Sequence, residues 1–212
     1  MDARMRSVHA ALTFIEDHLH EDITVGDIAS AAGYSLYHFI RTFNQVVQHS
    51  PYDFLMRRRL SEAAQELIDT DRRILDIAVD YSFGSHETFS RAFKRMFDLS
   101  PSQWRDGFPD HAHVLLPRLT EEYLAHINHT DFVRPVLKTV GGLPRVCFMH
   151  RGGEESLQLT LSYIHHTWLP QSEVHLACAV EPGHFQHNAD VAGMAAFIPV
   201  REFICSETSC VG

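Results

Sequence analysis

Apolar residues in the first half of the chain recur every three or four positions, a spacing typical of amphipathic helices. After Gly107 the pattern changes to short apolar runs separated by turn-forming residues. The pattern therefore predicts an all-α domain at residues 1–108 and an α+β domain at residues 109–212. The boundary lies at Gly107-Phe108-Pro109-Asp110, a cluster of the kind that ends helices.

The first half contains an internal repeat, with residues 23–54 matching residues 74–104. Asp27-Ile28-Ala29 matches Asp76-Ile77-Ala78 at an offset of 49. The later matches, at an offset of 50, pair Ser35, Phe39, Arg41, Phe43, Ser50, Pro51 and Phe54 with Ser85, Phe89, Arg91, Phe93, Ser100, Pro101 and Trp104. The offset changes at a turn, where Gly84 is extra. Each copy is predicted to form a helix, a short turn and a second helix.

In the first copy, Thr24 followed by Asp27 predicts a capping box, and Gly33 predicts the end of the first helix. Ser35 is expected to cap the second helix. Its predicted inner stripe is Leu36, Phe39, Ile40, Phe43, Val46 and Val47. Its predicted outer face is Tyr37, His38, Arg41, Asn44, Gln45 and Gln48.

The second copy follows the same pattern, and Ser85 is expected to cap its second helix. The predicted outer face there is His86, Glu87, Ser90, Arg91, Lys94 and Arg95. Residues 52–69 between the copies predict one long helix. Its inward positions are Phe54, Leu55, Leu60, Ala63, Ala64, Leu67 and Ile68. Its solvent side is predicted to carry Arg57, Arg58 and Arg59.

Two helices joined by a tight turn present the second helix as a ridge that fits the major groove of DNA. Arg41 and Arg91 occupy the same repeat position, and arginine can bind guanine through two hydrogen bonds. The helix starts at Ser35 and Ser85 favour phosphate, because backbone N–H groups point outward there. The phosphate-neutralising candidates are Arg57, Arg58, Arg59, Lys94 and Arg95. A plain packing role is the alternative, and the duplication argues against it.

Charge and composition limit this hypothesis. The 212 residues carry a net charge of −9, and residues 1–108 alone hold 12 basic and 16 acidic side chains. Binding of nucleic acid by bulk positive charge is therefore excluded, so specific contacts must carry it. No apolar run reaches the length of a membrane helix, no leader-type segment is expected, and the four cysteines form no disulfide framework. We expect a cytoplasmic protein without a membrane partner.

Residues 8–108 resemble the DNA-binding domain of the AraC/XylS family of transcription regulators. The resemblance rests on Asp27-Ile28-Ala29, Gly33-Tyr34-Ser35, Gly84-Ser85, and the run from Phe89 through Ser100-Pro101-Ser102-Gln103-Trp104. It implies seven helices, with two helix-turn-helix units joined by a long helix. It also implies double-stranded DNA as a partner, and RNA polymerase as a candidate partner.

By position, the resemblance assigns base reading in the first recognition helix to Tyr37, Ile40 and Arg41. In the second recognition helix it assigns this role to His86, Glu87, Ser90 and Arg91. Ile40 departs from the usual polar readers and fits a thymine methyl group. Glu87 would repel phosphate, although a carboxylate can accept a hydrogen bond from cytosine.

The second half predicts a helix on an antiparallel sheet in the order β-α-β-β. The predicted strands are residues 136–140, 146–150, 174–180 and 195–200, with a short strand at 114–116. A weak helix is predicted at 119–127. A longer helix opens at Glu154, places Leu157, Leu161, Ile164 and Trp168 on one face, and stops at Pro170.

Residues 143–202 resemble the GyrI-like effector-binding domain, carried by some AraC-type regulators with a Rob-type domain order. The matching stretches are Phe148-Met149-His150-Arg151-Gly152-Gly153, the run Tyr163 to Ser172, and Phe197-Ile198-Pro199-Val200. That domain has two βαββ repeats, so about 100 residues imply an abbreviated first repeat. The resemblance implies a hydrophobic or cationic effector, and the effector-binding candidates are Tyr163, Trp168, Glu181 and Phe185.

Alternatives remain open for this half. The aromatic residues are equally consistent with core packing, and the domain with a purely protein-binding role. An incomplete sheet would leave an open edge that a second protomer could cover, which makes a homodimer a candidate. No histidine pair has zinc-site spacing, and no nucleophile motif or phosphate loop accompanies Glu181, so we expect no metal, no cofactor and no enzyme. A GyrI-like hydrolase is the remote alternative.

Overall fold

The computed structural model describes residues 3–107, 115–129, 132, 134–140, 142–151, 153–172, 174, 176, 180, 182–187 and 193–200. The chain divides into two compact units, Met1–Asn128 and His129–Gly212. The first is helical and the second combines helical turns with an antiparallel sheet. The predicted contrast between a helical half and an α+β half is therefore confirmed.

The first unit consists of eight helices within its described residues. They are α1 (Ala3–Asp17), α2 (Val25–Ala31), α3 (Leu36–Val47), α4 (Pro51–Asp69), α5 (Ile74–Asp80), α6 (His86–Phe97), α7 (Pro101–Gly107) and α8 (Glu121–Ile127). The Thr24 hydroxyl accepts from the Asp27 N–H, and the Asp27 carboxylate accepts from the Thr24 N–H at 2.8 Å, which confirms the predicted capping box. The α4 helix begins at Pro51, where no N–H donor is required.

Helix α4 separates two hydrophobic cores, one for each copy of the repeat. Helices α1, α2 and α3 pack together on one side, and α5, α6 and α7 pack against α4 on the other. Phe54 and Trp104, which are equivalent in the repeat, are both buried. The Trp104 Nε1–H donates to the Ala64 carbonyl at 3.0 Å, which fixes α7 on α4.

Two arginines of α4 are buried, so their predicted placement on the solvent side was wrong. Arg58 is 3% exposed and binds Glu16 of α1 through Nε at 2.7 Å and Nη2 at 2.8 Å, with Glu62 as a second partner. Arg59 donates to the carbonyls of Leu19 and Glu21. Both therefore hold α1 and the loop after it against α4, and neither is available for phosphate.

Three apolar side chains predicted to face inward lie at the surface. Leu36 is 50% exposed, Ile40 36% and Ile68 46%. In α3 the buried positions are Phe39, Thr42, Phe43, Val46 and Val47. The buried stripe is therefore displaced from Leu36 and Ile40 towards Thr42, and Ile40 lies at its edge.

The helical unit continues past the predicted boundary at residue 108, because α8 belongs to it. Thr120 caps α8, and Tyr123, Leu124 and Ile127 are buried. This agrees with the weak helix predicted at 119–127. Leu115 and Leu116 form no strand, contrary to prediction, and Val114 lies outside the described residues.

The second unit contains a four-stranded antiparallel sheet with the order β1-β2-β4-β3. The strands are β1 (Val136–Val140), β2 (Leu143–His150), β3 (Gln186–His187) and β4 (Met194–Pro199). The helical segment between β2 and β3 starts with a 3₁₀ turn, Glu154–Ser156, continues as α9 (Leu157–Tyr163) and a π-helical turn, Ile164–Trp168, and ends as α10 (Leu169–Gln171). In the predicted strand 174–180, the described Leu176 forms one isolated bridge with Val200.

Candidate nucleic-acid interface

Helices α3 and α6 expose the polar faces that the sequence predicts. At α3 the exposed candidates are Ser35, Tyr37, Ile40 and Arg41. At α6 they are His86, Glu87, Arg91 and Lys94, while Ser85 and Ser90 are partly buried. The two sets belong to one helical unit and come from equivalent positions of the repeat.

The same pair of phenylalanines sets the rotation of each helix. Phe39 and Phe43 of α3 are fully buried with ring centroids 5.4 Å apart, and Phe89 and Phe93 of α6 repeat that separation. Arginine follows the first phenylalanine of each pair by two residues, which is about 200° around a helix. Burial of the aromatic rings therefore points Arg41 and Arg91 outward.

The turns before the two helices are also equivalent. Tyr34 N–H donates to the Ala29 carbonyl at 3.0 Å, and Phe83 N–H donates to the Ala78 carbonyl at 2.9 Å. The left-handed residue is Gly33 in the first copy, with φ +73°, and Ser82 in the second, with φ 61°. Gly84 follows this turn as the extra residue, in agreement with the predicted change of offset.

The serines at the two helix starts differ in their contacts. Ser85 Oγ accepts from the Thr88 N–H at 3.1 Å, as predicted for a cap. Ser35 occupies the predicted N-cap position of α3, but its side chain forms no capping hydrogen bond. The Ser35 hydroxyl therefore remains available at the surface.

Four cations at this face differ from other arginines of the unit. Within the described part of the chain, Arg41, Arg91, Lys94 and Arg95 lie at no ion-pair distance from a carboxylate, although the charge of Arg91 acts on Glu87. A cation on an exposed helix face can neutralise a phosphate or bind a base. Arg57, by contrast, pairs with Asp53 at 2.7 Å and is only 20% exposed.

Glu87 lies in the first turn of α6 and is ionised near neutral pH. Hydrogen bonds from its own backbone N–H and from the Ser85 hydroxyl lower the pKa of its carboxyl group. A negative charge there also matches the positive end of the helix dipole. Glu87 therefore has a local role at the start of α6 in addition to its predicted role toward a base.

One exposed aromatic residue was not singled out by the sequence pattern. Tyr52, the second residue of α4, is 62% exposed. It follows the N-cap Ser50 by two residues, at a position that the apolar stripe of α4 does not use. Its place outside the apolar stripe was the sequence signal from which the exposure of Tyr52 could have been predicted.

The effector-binding candidates of the second unit are mostly packed. Tyr163 and Phe185 are buried, and burial raises the pKa of the Tyr163 hydroxyl. The Tyr163 ring packs edge-on against Phe132 at 4.8 Å, and Trp168 packs against Phe148 at 5.3 Å. Glu181 lies outside the described residues.

The described residues contain no group of three histidine, cysteine or carboxylate side chains positioned to hold a metal ion. The described helices include none with the length and apolar character required to span a bilayer.

Comparison with known proteins identifies the helical unit. A family model described as a helix-turn-helix domain matches residues 28–107. The regulatory protein SoxS of Escherichia coli (strain K12) is 35% identical over 103 residues, which are 49% of this chain and 96% of SoxS. The chain belongs to the AraC family of helix-turn-helix transcription regulators.

Other members match over the same share of the chain. The uncharacterized HTH-type transcriptional regulator YbfP of Bacillus subtilis (strain 168) is 41% identical over 47% of this chain and 34% of YbfP. The transcriptional regulator Rob of Salmonella typhimurium is 42% identical over 44% of this chain and 32% of Rob. The chain thus spans about a third of the length of these two relatives. A solved AraC-type regulator from Chromobacterium violaceum is 27% identical, covers 47% of this chain and 89% of that chain, and has a TM-score of 0.46.

Proposed function

We propose that the protein is a sequence-specific DNA-binding regulator of transcription, whose helices α3 and α6 read two adjacent major-groove segments. One observation carries this proposal: Arg41 and Arg91 occupy the same repeat position, and both are exposed on the outer faces of α3 and α6. The charge of Arg91 also acts on Glu87 one helical turn away, which leaves its guanidinium at the surface beside the other candidate of α6.

We assign base contacts to Tyr37, Ile40 and Arg41 in α3, and to His86, Glu87, Ser90 and Arg91 in α6. Ile40 is 36% exposed, which suits contact with a thymine methyl group. Phosphate contacts belong to Ser35, Ser85 and Lys94, because each lies on or beside an outward helix face.

Mapping of bound sites across a genome, followed by hydroxyl-radical footprinting of one site, tests this function. The expected result is two protected major-groove segments about one helical turn, roughly 10 base pairs, apart. A protein that protects no site, or a single segment, would contradict the two-helix proposal. Binding should weaken steeply with salt, because phosphate contacts release counterions.

A second proposal concerns effector binding by the unit His129–Gly212, which resembles a GyrI-like domain. The π-helical turn at Ile164–Trp168 supports it, because such turns are rare and frequent at functional sites. This turn begins directly after the candidate Tyr163 and ends at the candidate Trp168. A hydrophobic cation is the ligand class, with Glu181 and Phe185 as further candidates.

Titration with tetraphenylphosphonium tests this second proposal. A raised melting temperature together with changed DNA affinity would support a sensor coupled to the DNA-binding unit. Stabilisation without any change in DNA affinity would favour binding without regulation. Absence of both effects would favour a unit that serves only protein interaction, or, if hydrolysis of small esters is found, the remote enzyme alternative.

Homodimer formation through the second unit is part of the same proposal. All five residues of β1 are exposed, and within the described part of the sheet β1 is an edge strand that pairs with β2. An edge strand of this kind can accept a strand from a second protomer. Analytical ultracentrifugation of the wild-type protein and of Leu137→Lys would test it, since a dimer should dissociate in the variant. Contact with RNA polymerase and a cytoplasmic location remain proposals that follow from family membership.

A further inference from the structure

Residues 116–128, the connecting segment, follow the helix-turn-helix units and end where the second unit begins. The backbone of Leu116 is bound on both sides by α4: its N–H donates to Ser61 Oγ at 2.9 Å, and its carbonyl accepts from Arg58. Further along, α8 buries Leu124 completely. The connecting segment is therefore a docked part of the DNA-binding unit.

The last residue of the connecting segment, Asn128, contacts the recognition helix α3. The Asn128 Nδ2 group donates to the Val46 carbonyl at 2.9 Å and to the Leu124 carbonyl at 2.8 Å. Val46 lies in the last turn of α3, where carbonyl groups lack partners within the helix. Because both neighbours are acceptors, the amide must present its NH₂ group, and each hydrogen of that group has one partner.

The second copy offers an internal comparison. Met96 of α6 is equivalent to Val46 at the offset of 50, and no side chain in the described ranges donates to its carbonyl. The contact from Asn128 is therefore no general requirement of this helix-turn-helix repeat. It is specific to the helix that carries Tyr37 and Arg41.

We propose that Asn128 is a positioning residue for DNA reading, which fixes the end of α3 and thereby the angle at which Tyr37 and Arg41 meet the major groove. Asn128 itself touches no DNA in this proposal. The next residue, His129, is the first of the second unit. The contact to α3 therefore lies directly before the start of the second unit in the chain.

This inference rests on the proposed DNA-binding function, and footprinting with the full-length chain tests both. The Arg41→Ala variant first assigns one protected segment to α3, and Arg91→Ala assigns the other to α6. Asn128→Leu should then raise the dissociation constant for a site with both segments intact by about 3- to 10-fold, as expected for one lost hydrogen bond. On a site whose α3 segment is scrambled, the same change should weaken binding by less than about twofold.

Glu122→Gln, an exposed position on α8, is the matched control and should change binding to neither site. Equal losses on the intact and the scrambled site in Asn128→Leu would show a general loss of folded protein, and no loss on either would show that the contact is irrelevant. Either result would overturn the inference and leave the proposed function intact. Wild-type protein that protects no DNA would instead refute the proposed function.

Hydrogen exchange of the DNA-free protein gives a second measurement that does not depend on binding. In Asn128→Leu, and in the smaller change Asn128→Asp, amides in the last turn of α3 should exchange about 3- to 10-fold faster, while those of α6 stay unchanged. Unchanged exchange in α3 would overturn the inference even if DNA binding is weakened.

Discussion

The two copies of the repeat share a geometry but differ in what fixes each of them. In the first copy, the Asn128 side chain binds the last turn of α3, and Arg58 binds Glu16 of the neighbouring helix α1. In the second copy, α6 depends on aromatic packing against Trp104 and on its own N-cap. The aromatic spacing therefore specifies the fold, and the polar contacts specify how each copy responds to mutation, pH or a change elsewhere in the chain.

This difference matters because each of the two recognition helices is proposed to read a different segment of the DNA site. A helix whose last turn is bound by a side chain from the connecting segment can be adjusted through that contact, whereas a helix held by packing alone keeps its position until the core opens. We infer that α3 is the adjustable reader and α6 the fixed one. The following experiments test that division, from the largest expected effect to the smallest.

Loss of Arg58 should have the largest effect, because Arg58 holds α1 and the connecting segment against α4 beside the first copy. Arg58→Met leaves Glu16, which is 9% exposed, without its partner, and it also removes a donor to Leu116. We expect the free energy of unfolding to fall by about 3 kcal/mol, the magnitude of a broken buried ion pair, in urea denaturation. Arg95→Met, at an exposed cation of the second copy, should leave stability unchanged. A fall below about 1 kcal/mol would show that Arg58 does not hold α1 in place.

The equivalent arginines should divide DNA reading evenly. Arg41→Ala and Arg91→Ala should each weaken binding by about 1–3 kcal/mol and relax base preference at one position in one segment. Titration of labelled site variants at fixed salt measures both effects. Arg95→Ala, whose side chain is expected to meet only phosphate, should weaken all sites uniformly. Loss of preference at the same base in both variants would contradict two separate readers.

The sequence was sufficient for the fold of the first unit because its main signals are local. Helix caps, glycine at a turn and aromatic residues at helical spacing each act over a few residues. Because the repeat is duplicated, most of these signals occur twice in the sequence. The exposed placement of Arg41 and Arg91 followed from the same spacing. The second unit was predicted less completely, since its sheet depends on pairing between distant residues such as Phe148 and Ala196.

The burial of Arg58 and Arg59 shows where sequence reasoning failed. Both arginines lie four residues after buried apolar residues, Phe54 and Leu55, so the helical period already pointed inward. The prediction placed both residues on the solvent side because they are charged, and it gave the helical spacing of the chain less weight. The partner that makes burial possible, Glu16, is 42 residues away and could not be paired with Arg58 from one sequence. The contact from Asn128 to Val46 was missed for the same reason.

Helix capping should distinguish the copies at their recognition helices. Ser85→Ala removes the acceptor for the Thr88 N–H and should lower the free energy of unfolding by about 1 kcal/mol. Ser35→Ala removes no capping bond and should change stability by less than about 0.3 kcal/mol. Thermal denaturation without DNA measures both. Equal losses would show that the two helix starts are equivalent after all.

Acid sensitivity should reside in the first copy. Burial by itself would raise the pKa of Asp53, but the hydrogen bond from His49 and the charge of Arg57 outweigh it, so the pKa is lowered from 3.8. A depressed pKa contributes stability above the unfolded value, and this contribution is lost as pH falls through the folded value. Gln103 occupies the equivalent position in the second copy and does not titrate.

Asp53→Asn should therefore cost stability at pH 7, by less than about 1 kcal/mol because the carboxylate is 44% exposed. The difference from the wild type should begin to shrink as the pH falls below about 4, where the unfolded carboxylate takes up a proton, and should disappear once the folded carboxylate is protonated as well. Urea denaturation across this pH range measures it. Gln103→Asn, the matched change in the second copy, should give a difference that does not depend on pH. A constant difference for Asp53→Asn would contradict the assignment.

The smallest effect is expected at the ends of the recognition helices, where Gln48 and Asp98 both adopt left-handed backbone conformations, with φ of 62° and 59°. Glycine takes this conformation without steric cost, and removing Asp98 also removes a negative charge from a helix C-terminus. Asp98→Gly should therefore stabilise the unit by about 0.5 kcal/mol in urea denaturation. Gln48→Gly should gain less, because the Gln48 residue makes a further interaction that glycine could lose. A larger gain at Gln48 would show that the polar contacts around α3 contribute strain instead of support, which would reverse the proposed difference between the copies.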